Sequence, residues 1–328
     1  MATGTPGSER AGPAAGPEDL AATWGGPGFV ARTADHADEV AEGRLWRRCG
    51  YRSEVAPLRE VLLSWPGRSI AEVDDPDAWL MLERPDLGAL RDQADAVIAA
   101  FEDLGVAVHV DRPPDAPPNY LFMRDLAFVT PEGAVLARPA AAVRAGEERW
   151  MAAALAGLGI PIRCTLRGRA TFEGADALWL DREHVLIGRG RRTNASGADA
   201  VAAVLADQGV VARVVDLPTG TQHLLGVVVL VDDDLAFGHG GRMTDAIAQA
   251  LRDHGIRLEV VEPDEEVTAR RSLNLVTVAP RRVVMPAGCP RTRARLERAG
   301  VEVHAVEVGE YVKAGGALGC LTGILRRD

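Results

Sequence analysis

Several features that identify common protein classes are missing from this 328-residue sequence. It contains only four cysteines, and no two of them have the CxxC or CxH spacing of a redox or metal motif. A disulfide scaffold and a structural zinc site are therefore disfavoured, and reduced thiols are expected. No window of about 18 uninterrupted apolar residues occurs, so the sequence predicts no membrane-spanning helix.

The sequence has fewer basic residues than acidic ones. Lysine and arginine total 37 against 47 acidic residues, a formal net charge of −10, and no basic run stands out. This balance argues against a nucleic-acid partner, because a negative field repels phosphate backbones. It is compatible with a cationic small-molecule substrate, although solubility explains it equally well. Residues 1–17 lack the basic and apolar segments of a secretory signal, which favours a cytoplasmic protein.

The composition is that of a folded protein except at the N-terminus. Hydrophobic residues make up 47% and charged residues 26% of the chain, which is enough apolar side chain for a sizeable core. Residues 1–45, in contrast, begin with a Gly/Ala/Pro-rich stretch that has little to bury. We therefore predict a flexible tail over residues 1–45 and a single folded domain over residues 46–328.

From about Tyr51 onward, short β-type apolar runs alternate with amphipathic helical runs in a repeating order. Each repeat begins with a hairpin whose turn contains Asp, Gly or Pro, as in VTPEGAV, WLDREHV, LVDDDLAF and VAPRRVV. A helix and a third strand follow, and this ββαβ unit recurs about every 45–55 residues, from near residues 122, 174, 226 and 272. A fifth unit can be assembled from Val61–Val110 and a closing strand at Cys320–Leu325.

Five such units in a ring predict an α/β fold, a five-bladed α/β propeller with pseudo-fivefold symmetry. The alternative is an open doubly wound sheet. That alternative is disfavoured because parallel sheets need crossovers and not two-residue returns. No Gly-rich phosphate loop with the required spacing follows any strand, so nucleotide binding is not expected.

Four residues near predicted strand ends are candidates for catalysis. Cys320 follows a Gly-rich turn that would keep its thiol accessible, although most lone cysteines are buried structural residues. His223 lies between a Pro/Gly turn and an apolar strand, where a histidine serves either as a general acid/base or as a hydrogen-bonded edge residue. Glu173 and Asp125 each precede a strand, a position that turn residues also favour. A closed ring of repeats would bring these four strand ends together around one funnel.

The motifs around these residues resemble those of the guanidino-modifying enzymes. This superfamily includes the dimethylarginine dimethylaminohydrolases, the arginine deiminases and the amidinotransferases. The resemblance runs from roughly Tyr51 to Leu325, and its seven motifs are YRSEVAPLREVLLSWPG, FMRDLAFVTPEGAVLARP, FEGADALWL, GRGRRTNASGAD, QHLLG, SLNLVTVAP and GGALGCLTGIL. It is nearest to the dimethylarginine hydrolases, and it implies the five-bladed propeller (pentein) that the repeats predict independently.

The resemblance implies a role for each of the four residues. Cys320 would attack the central guanidinium carbon, and His223 would protonate the departing amine and then activate water. Glu173 and Asp125 would hold the guanidinium nitrogens. A guanidinium is planar and resonance-stabilised, so carboxylates are needed to fix it and a thiolate is needed to attack it. The covalent thiouronium divides one difficult substitution into two easier steps, with no metal or other cofactor required.

Further positions correspond to substrate-binding residues of the dimethylarginine hydrolases. Arg144 and Arg192 match two arginines that bind the amino-acid carboxylate of the substrate, and Asn119 stands where an Asp would contact it. Leu225 replaces the Asp of the H-[LI]-D pattern of deiminases and amidinotransferases, as in the dimethylarginine hydrolases. Arg124, in contrast, gives the Arg-Asp pair of the deiminases and amidinotransferases.

The expected reaction is hydrolysis of arginine or an N-substituted arginine to citrulline and an amine or ammonia. Amidino transfer to an acceptor amine is the first alternative, and a non-catalytic propeller that binds a ligand is the second. The expected partner is a small arginine-like guanidino compound, with no nucleic acid and no membrane. The sequence leaves a homodimer open.

Overall fold

The computed structural model describes residue 18 and residues 20–328 of the chain. In this part the strands are β1 (Leu58–Ser64), β2 (Ala107–Asp111), β3 (Ala127–Thr130), β4 (Gly133–Leu136), β5 (Ile162–Thr165), β6 (Ala177–Trp179), β7 (His184–Arg189), β8 (Val211–Asp216), β9 (Val228–Asp232), β10 (Leu235–His239), β11 (Arg257–Val261), β12 (Val276–Ala279), β13 (Arg282–Pro286), β14 (Glu302–Val306) and β15 (Gly323–Arg327). The α-helices are α1 (His36–Glu42), α2 (Leu87–Asp103), α3 (Met123–Leu126), α4 (Glu147–Gly157), α5 (Ala195–Ala206), α6 (Asp245–Asp253), α7 (Glu265–Thr268), α8 (Pro290–Arg298), α9 (Gly309–Lys313) and α10 (Leu318–Leu321).

The strands of the described residues form five separate three-stranded sheets of one design. Four of them follow the chain as β3-β4-β5, β6-β7-β8, β9-β10-β11 and β12-β13-β14, and the fifth combines β15 with β1 and β2. In each sheet the first strand runs antiparallel to the middle strand, which runs parallel to the third. The predicted α/β class is confirmed, and the strand order is that of the predicted ββαβ unit.

The burial pattern places the first strands inside the molecule and the third strands outside. The first strands β3 and β6 are buried along their whole length, as are the middle strands β4 and β10. The third strands β5 and β8 are largely exposed. Neighbouring sheets meet through first strands, since β15 packs against β3 and β12 against β9. Residues at the entrances of the first strands are thereby brought toward the interior.

Local sequence explains where several elements begin. Asp86, Asn194 and Thr244 precede α2, α5 and α6, and each side chain accepts a hydrogen bond from the backbone N–H three residues on. Gly133 opens β4 with φ +125°. A Cβ at this position would lie 2.5 Å from the carbonyl oxygen of Pro161, so only glycine permits this approach.

Two predicted strands begin later than the sequence suggests. The strand predicted at Leu273–Ala279 begins at Val276, and the strand predicted at Cys320–Leu325 begins at Gly323. Placing Cys320 in a strand was therefore wrong, because it lies in the helical turn α10. A four-residue helix is too short to show the periodicity by which a sequence reveals a helix.

Part of the predicted flexible tail, residues 1–17 and 19, lies outside the described residues. Within the remainder of that segment, α1 forms, and its Val40 is buried in a hydrophobic cluster against which Trp46 packs. The division at residue 45 stays a prediction. Among the residues that the structure describes, no helix is both long and apolar enough to cross a membrane.

Candidate active site

Five polar side chains occupy equivalent places, just before the first strand of each sheet. They are Asp125 before β3, Glu173 before β6, His223 before β9, Asn274 before β12 and Cys320 before β15. All five are buried. Asp125 and Cys320 lie in α3 and α10, which pack together, and the turns after Glu173 and His223 pack on each other. The fold therefore gathers residues that are far apart in sequence.

His223 bridges the two carboxylates. Its Nε2 lies 2.6 Å from Glu173 Oε2, and its Nδ1 lies 3.8 Å from Asp125 Oδ1. Burial by itself would lower the pKa of His223, but Asp125 and Glu173 outweigh it and raise this pKa to about 9. Burial would likewise raise the pKa of Glu173, yet His223 and two arginines hold it well below its usual value. At neutral pH the pair is an imidazolium and a carboxylate, so His223 can donate a proton.

Cys320 is held by Asn274. The Cys320 backbone N–H donates to Asn274 Oδ1 at 3.1 Å, and Asn274 Nδ2 donates to the Cys320 sulfur at 3.1 Å. Burial and the charge of Asp125 raise the pKa of the thiol, and the opposing influences of the Ala317 backbone, Arg271 and Asn274 do not compensate. The thiol is therefore mostly protonated at neutral pH, and a cation placed beside it would favour the reactive thiolate.

Asn274 is not among the site residues predicted from the sequence, although the motif SLNLVTVAP contains it. The signal was present in the repeat, because Asn274 lies two residues before β12 just as Asp125 lies two residues before β3. Aligning the five strand entrances would have found it.

Arg144 lies inside the cluster and not at its mouth. Its Nη1 lies 2.7 Å from Asp125 Oδ2 and 3.5 Å from Glu173 Oε2, and its Nη2 lies 2.8 Å from Glu147 Oε2. The residue is only 2% exposed. Protein carboxylates accept its hydrogen bonds in this arrangement, and its role in binding a substrate carboxylate stays a prediction.

Arg192 and Asn119 lie near the entrance. Arg192 Nη1 is 3.3 Å from Glu173 Oε1, and its side chain lines a cavity of about 710 Å³. Asn119 Nδ2 donates to the backbone oxygen of Trp79 at 2.7 Å, so it fixes the segment that leads to Leu80 at the rim of this cavity. Arg192 thus contacts the buried cluster through Glu173, whereas Asn119 contacts the segment at the rim of the cavity.

Asp176 and Leu225 shape the turn that carries His223. Asp176 accepts hydrogen bonds from Thr193 Oγ1 at 2.6 Å and from the backbone N–H of Leu224 at 2.9 Å, while burial raises its pKa to about 7. Leu225 is buried, and its Cδ2 would lie 3.1 Å from a Cβ added to Gly319. An apolar side chain therefore stands close to the residue that precedes Cys320.

The donor atoms of Asp125, Glu173 and His223 lie within 4.8 Å of one another, a spacing that could hold a metal ion. Arg144 Nη1, however, already lies 2.7 and 3.5 Å from oxygens of these two carboxylates, so fewer of their lone pairs remain to ligate a metal ion. The donor set fits a planar organic cation that offers N–H groups better than it fits a metal.

Comparisons with known proteins agree with this geometry. The family model described as arginine deiminase matches residues 114–237. The chain is 29% identical to the N(G),N(G)-dimethylarginine dimethylaminohydrolase of Pseudomonas aeruginosa over 265 residues, which are 81% of this chain and 98% of that protein. A solved structure of that enzyme, a cysteine-to-serine variant complexed with citrulline, is 25% identical, covers 81% of this chain and 98% of its own, and gives a TM-score of 0.67.

The fold extends to a more distant protein. An amidinotransferase from Microseira wollei gives a TM-score of 0.70 at 14% identity, with 85% of this chain and 97% of that one covered. The strand-entrance cluster, the family match and the likeness to the Pseudomonas protein point in one direction. The chain is similar in sequence and fold to the guanidino-modifying superfamily, whose members include the dimethylarginine dimethylaminohydrolases, the arginine deiminases and the amidinotransferases.

Proposed function

We propose that the chain hydrolyses the guanidino carbon of arginine or of an N-substituted arginine, giving citrulline and an amine or ammonia. The observation that carries this proposal is the buried cluster of Cys320, His223, Glu173 and Asp125 at the entrances of four sheets. It supplies a nucleophile, an acid/base group and two carboxylates for a cation. The named activity of the Pseudomonas relative and the citrulline complex of that enzyme support the same chemistry.

Asp125 and Glu173 would hold the guanidinium. Asp125 Oδ1 is buried and, among the described residues, accepts no hydrogen bond. A substrate N–H would satisfy this oxygen, and the planar cation would be fixed by the two carboxylates in the orientation that attack requires. Its positive charge would also lower the pKa of the Cys320 thiol, which burial and Asp125 raise.

The reaction then proceeds in two steps. The Cys320 thiolate attacks the guanidinium carbon, and the C–N bond breaks as His223 gives its proton to the departing amine. This leaves a covalent S-alkylthiouronium on Cys320 and a neutral imidazole. His223 next takes a proton from water, the hydroxide oxygen bonds to the same carbon, and the C–S bond breaks. The remaining O–H proton of the attacking water passes to solvent, where the released amine takes it up. Citrulline leaves and the thiolate is restored.

The arrangement of the five sheets would bring the residues of this site together. In the proposed architecture, residues 46–328 form one domain in which the sheets close into a five-bladed propeller. The contacts between the first strands of neighbouring sheets support it, as does the pairing of β15 with β1 at the two ends of the chain. A ring of this kind would place all five strand entrances around one funnel.

Arg124 and Leu225 match different subfamilies, and they differ in what they contact in the structure. Arg124 matches the Arg-Asp pair of the deiminases and amidinotransferases. It is buried and forms an ion pair with Glu54 at 3.1 Å, so its contact is with the protein interior. Leu225 stands close to Gly319, beside the nucleophile, and leaves that side of the site apolar. An apolar wall suits an N-alkylated guanidine better than a second carboxylate would.

The proposal is tested by incubating the protein with arginine, methylated arginines and small guanidines and measuring citrulline, ornithine and the released amine. We expect citrulline from the wild-type protein and none from Cys320→Ala. Cys289→Ala is the matched control, because this buried cysteine lies in a different hydrophobic cluster. Ornithine without citrulline would show amidino transfer instead, and no turnover together with no labelling of Cys320 by an electrophilic amidine would show a binding module.

A further inference from the structure

Two histidines and one carboxylate form a cluster at the other end of β6 from Glu173. Asp181 follows β6 in the hairpin turn, His184 is the first residue of β7, and His254 directly follows α6. One ligand atom from each of these three residues lies within 4.8 Å of the others. His254 is 73 positions from Asp181 in the sequence, so the fold brings them together. None of the three takes part in the proposed reaction.

Both imidazoles converge on the same carboxylate. His184 Nδ1 lies 2.8 Å from Asp181 Oδ1 and 3.0 Å from Oδ2, and His254 Nδ1 lies 2.8 Å from Oδ2. The ring centroids of the two histidines are 4.6 Å apart. Two imidazole nitrogens and one carboxylate oxygen are the protein ligands of many zinc sites that keep a fourth position open.

The backbone holds these three side chains in place. The Leu180 N–H donates to the carbonyl oxygen of His184 at 2.9 Å and closes the hairpin, while Asp181 Oδ1 accepts a hydrogen bond from the Glu183 N–H at 2.8 Å. The N–H of His254 donates to carbonyl oxygens in the last turn of α6. Ligands on such elements are placed more precisely than ligands on loops, and the carboxyl end of a helix favours a cation.

No lysine or arginine of residues 20–328 competes for this carboxylate. The ion pairs of Asp181 in this part of the chain are those with the two histidines. In the active-site cluster, by contrast, Arg144 lies close to both carboxylates. Asp181 and His254 also line a cavity of about 470 Å³, which has room for water molecules that would complete the coordination of a metal ion.

We propose that Asp181, His184 and His254 bind a divalent metal ion of the zinc type, which joins the β6–β7 hairpin to the end of α6. Each residue supplies one ligand atom, and water fills the fourth position. Zinc sites place their ligand atoms about 3.3 Å apart, so the imidazoles move away from the carboxylate by about half an ångström. The metal takes the place of the hydrogens between nitrogen and oxygen, and each neutral imidazole then carries its proton on Nε2.

The bound ion would link two successive units of the repeat. The hairpin belongs to the sheet β6-β7-β8, whereas α6 lies between β10 and β11 of the next sheet along the chain. A ligand that binds only the folded protein stabilises it, so zinc should raise the unfolding temperature. This effect does not depend on turnover, and the proposal therefore stands apart from the proposed reaction.

Calorimetric titration of the chelator-treated protein with zinc tests the site. His184→Gln and His254→Gln each remove one ligand. His304→Gln is the matched control, because this histidine pairs with one carboxylate, that of Glu302, at 2.8 Å. Cys320→Ser reports any zinc that binds at the active-site thiol instead. Thermal unfolding without metal verifies that each variant is folded.

We expect His184→Gln and His254→Gln each to weaken zinc binding at least about tenfold, and His304→Gln and Cys320→Ser to retain it. Zinc should raise the Tm of the wild-type protein by a few degrees and leave that of His254→Gln unchanged. No zinc binding by the wild-type protein, binding that both histidine variants keep, or binding that Cys320→Ser abolishes would overturn the proposal.

Discussion

His223 Nε2 and Glu173 Oε2 lie 2.6 Å apart, although the two residues enter different sheets, β9 and β6. The bond is buried, and a second carboxylate, Asp125, faces the other nitrogen of the ring from 3.8 Å. A histidine in this position is charged well above its ordinary titration range. The bond to Glu173 therefore keeps His223 protonated, so that His223 can act as a proton donor. This effect on the His223 pKa can be measured.

The first prediction concerns the pKa of His223. Glu173→Gln removes the hydrogen-bonded charge, so the His223 pKa should fall below the value of about 9 that the wild-type environment gives it. NMR titration of the imidazole measures this shift. Glu183→Gln, at an exposed position, should leave it unchanged. An unaltered His223 pKa in Glu173→Gln would mean that the bond does not control the protonation state.

The second prediction concerns stability and pH. The folded pKa of His223, about 9, exceeds its model value of 6.5, so its contribution to stability is fully present below about pH 6.5 and is lost as pH rises through 9. Glu173 has a lowered pKa, so its contribution is present above about pH 4.5 and is lost only in strong acid.

Urea unfolding of wild type and His223→Gln from pH 6 to 10 tests this linkage. The difference in the free energy of unfolding should shrink as pH rises between about 6.5 and 9, because only the wild-type protein releases the His223 proton on unfolding there. His304→Gln is the control, because this histidine of β14 is only partly buried. A difference that grows with pH would contradict the assigned direction.

The third prediction concerns the thiol. Burial and the Asp125 charge raise the Cys320 pKa, so Asp125→Asn should lower it and speed alkylation by iodoacetamide at pH 7. The pH profile of the alkylation rate gives the thiol pKa in each protein. Asp181→Asn changes the charge equally at an exposed place in a different cluster and should have no effect. Slower alkylation of Asp125→Asn would show that Asp125 supports the thiolate.

The fourth prediction concerns Gly319. A Cβ there would lie 3.1 Å from Asn274 Oδ1 and 3.1 Å from Leu225 Cδ2, so Gly319→Ala should displace Asn274 from the nucleophile. The neighbours need to move only a few tenths of an ångström, so we expect a loss of kcat smaller than the roughly 100-fold cost of a misplacement near 1 Å, with a small change in Tm. Gly157→Ala, where a Cβ meets nothing within 4 Å, is the matched control. Full activity in Gly319→Ala would remove Asn274 from the proposed machinery.

The fifth prediction concerns substrate choice. Leu225→Asp restores the carboxylate of the H-[LI]-D pattern, so it should shift kcat/KM from N-methylated arginine toward arginine by about tenfold or more. Leu225→Asn separates the effect of charge from that of shape. If kcat/KM falls equally for the two substrates in both variants, Leu225 supports the fold and does not select the substrate.

The sequence by itself determined the class and the order of the elements. Hairpin turns such as VTPEGAV and LVDDDLAF, followed by helices with apolar faces, predicted α/β repeats, and the structure has the corresponding strands and helices. These signals are local, because a turn or an amphipathic helix is encoded within a few consecutive residues. The resemblance then pointed to Cys320, His223, Glu173 and Asp125, which the structure places at four equivalent strand entrances.

Only the tertiary structure decided how the side chains pair. It put Arg144 among three carboxylates and Asn274 beside the thiol. Among the described residues, it gives Arg271 Nε and both ring nitrogens of His239 no hydrogen-bond partner. It also showed that Cys320 lies in a helical turn and not in a strand. Hydrogen bonds and charge effects act over a few ångströms in space, whereas Arg144 lies 19 and 29 positions from Asp125 and Glu173, and Asn274 lies 46 positions from Cys320. No local pattern in the chain records which of them will meet.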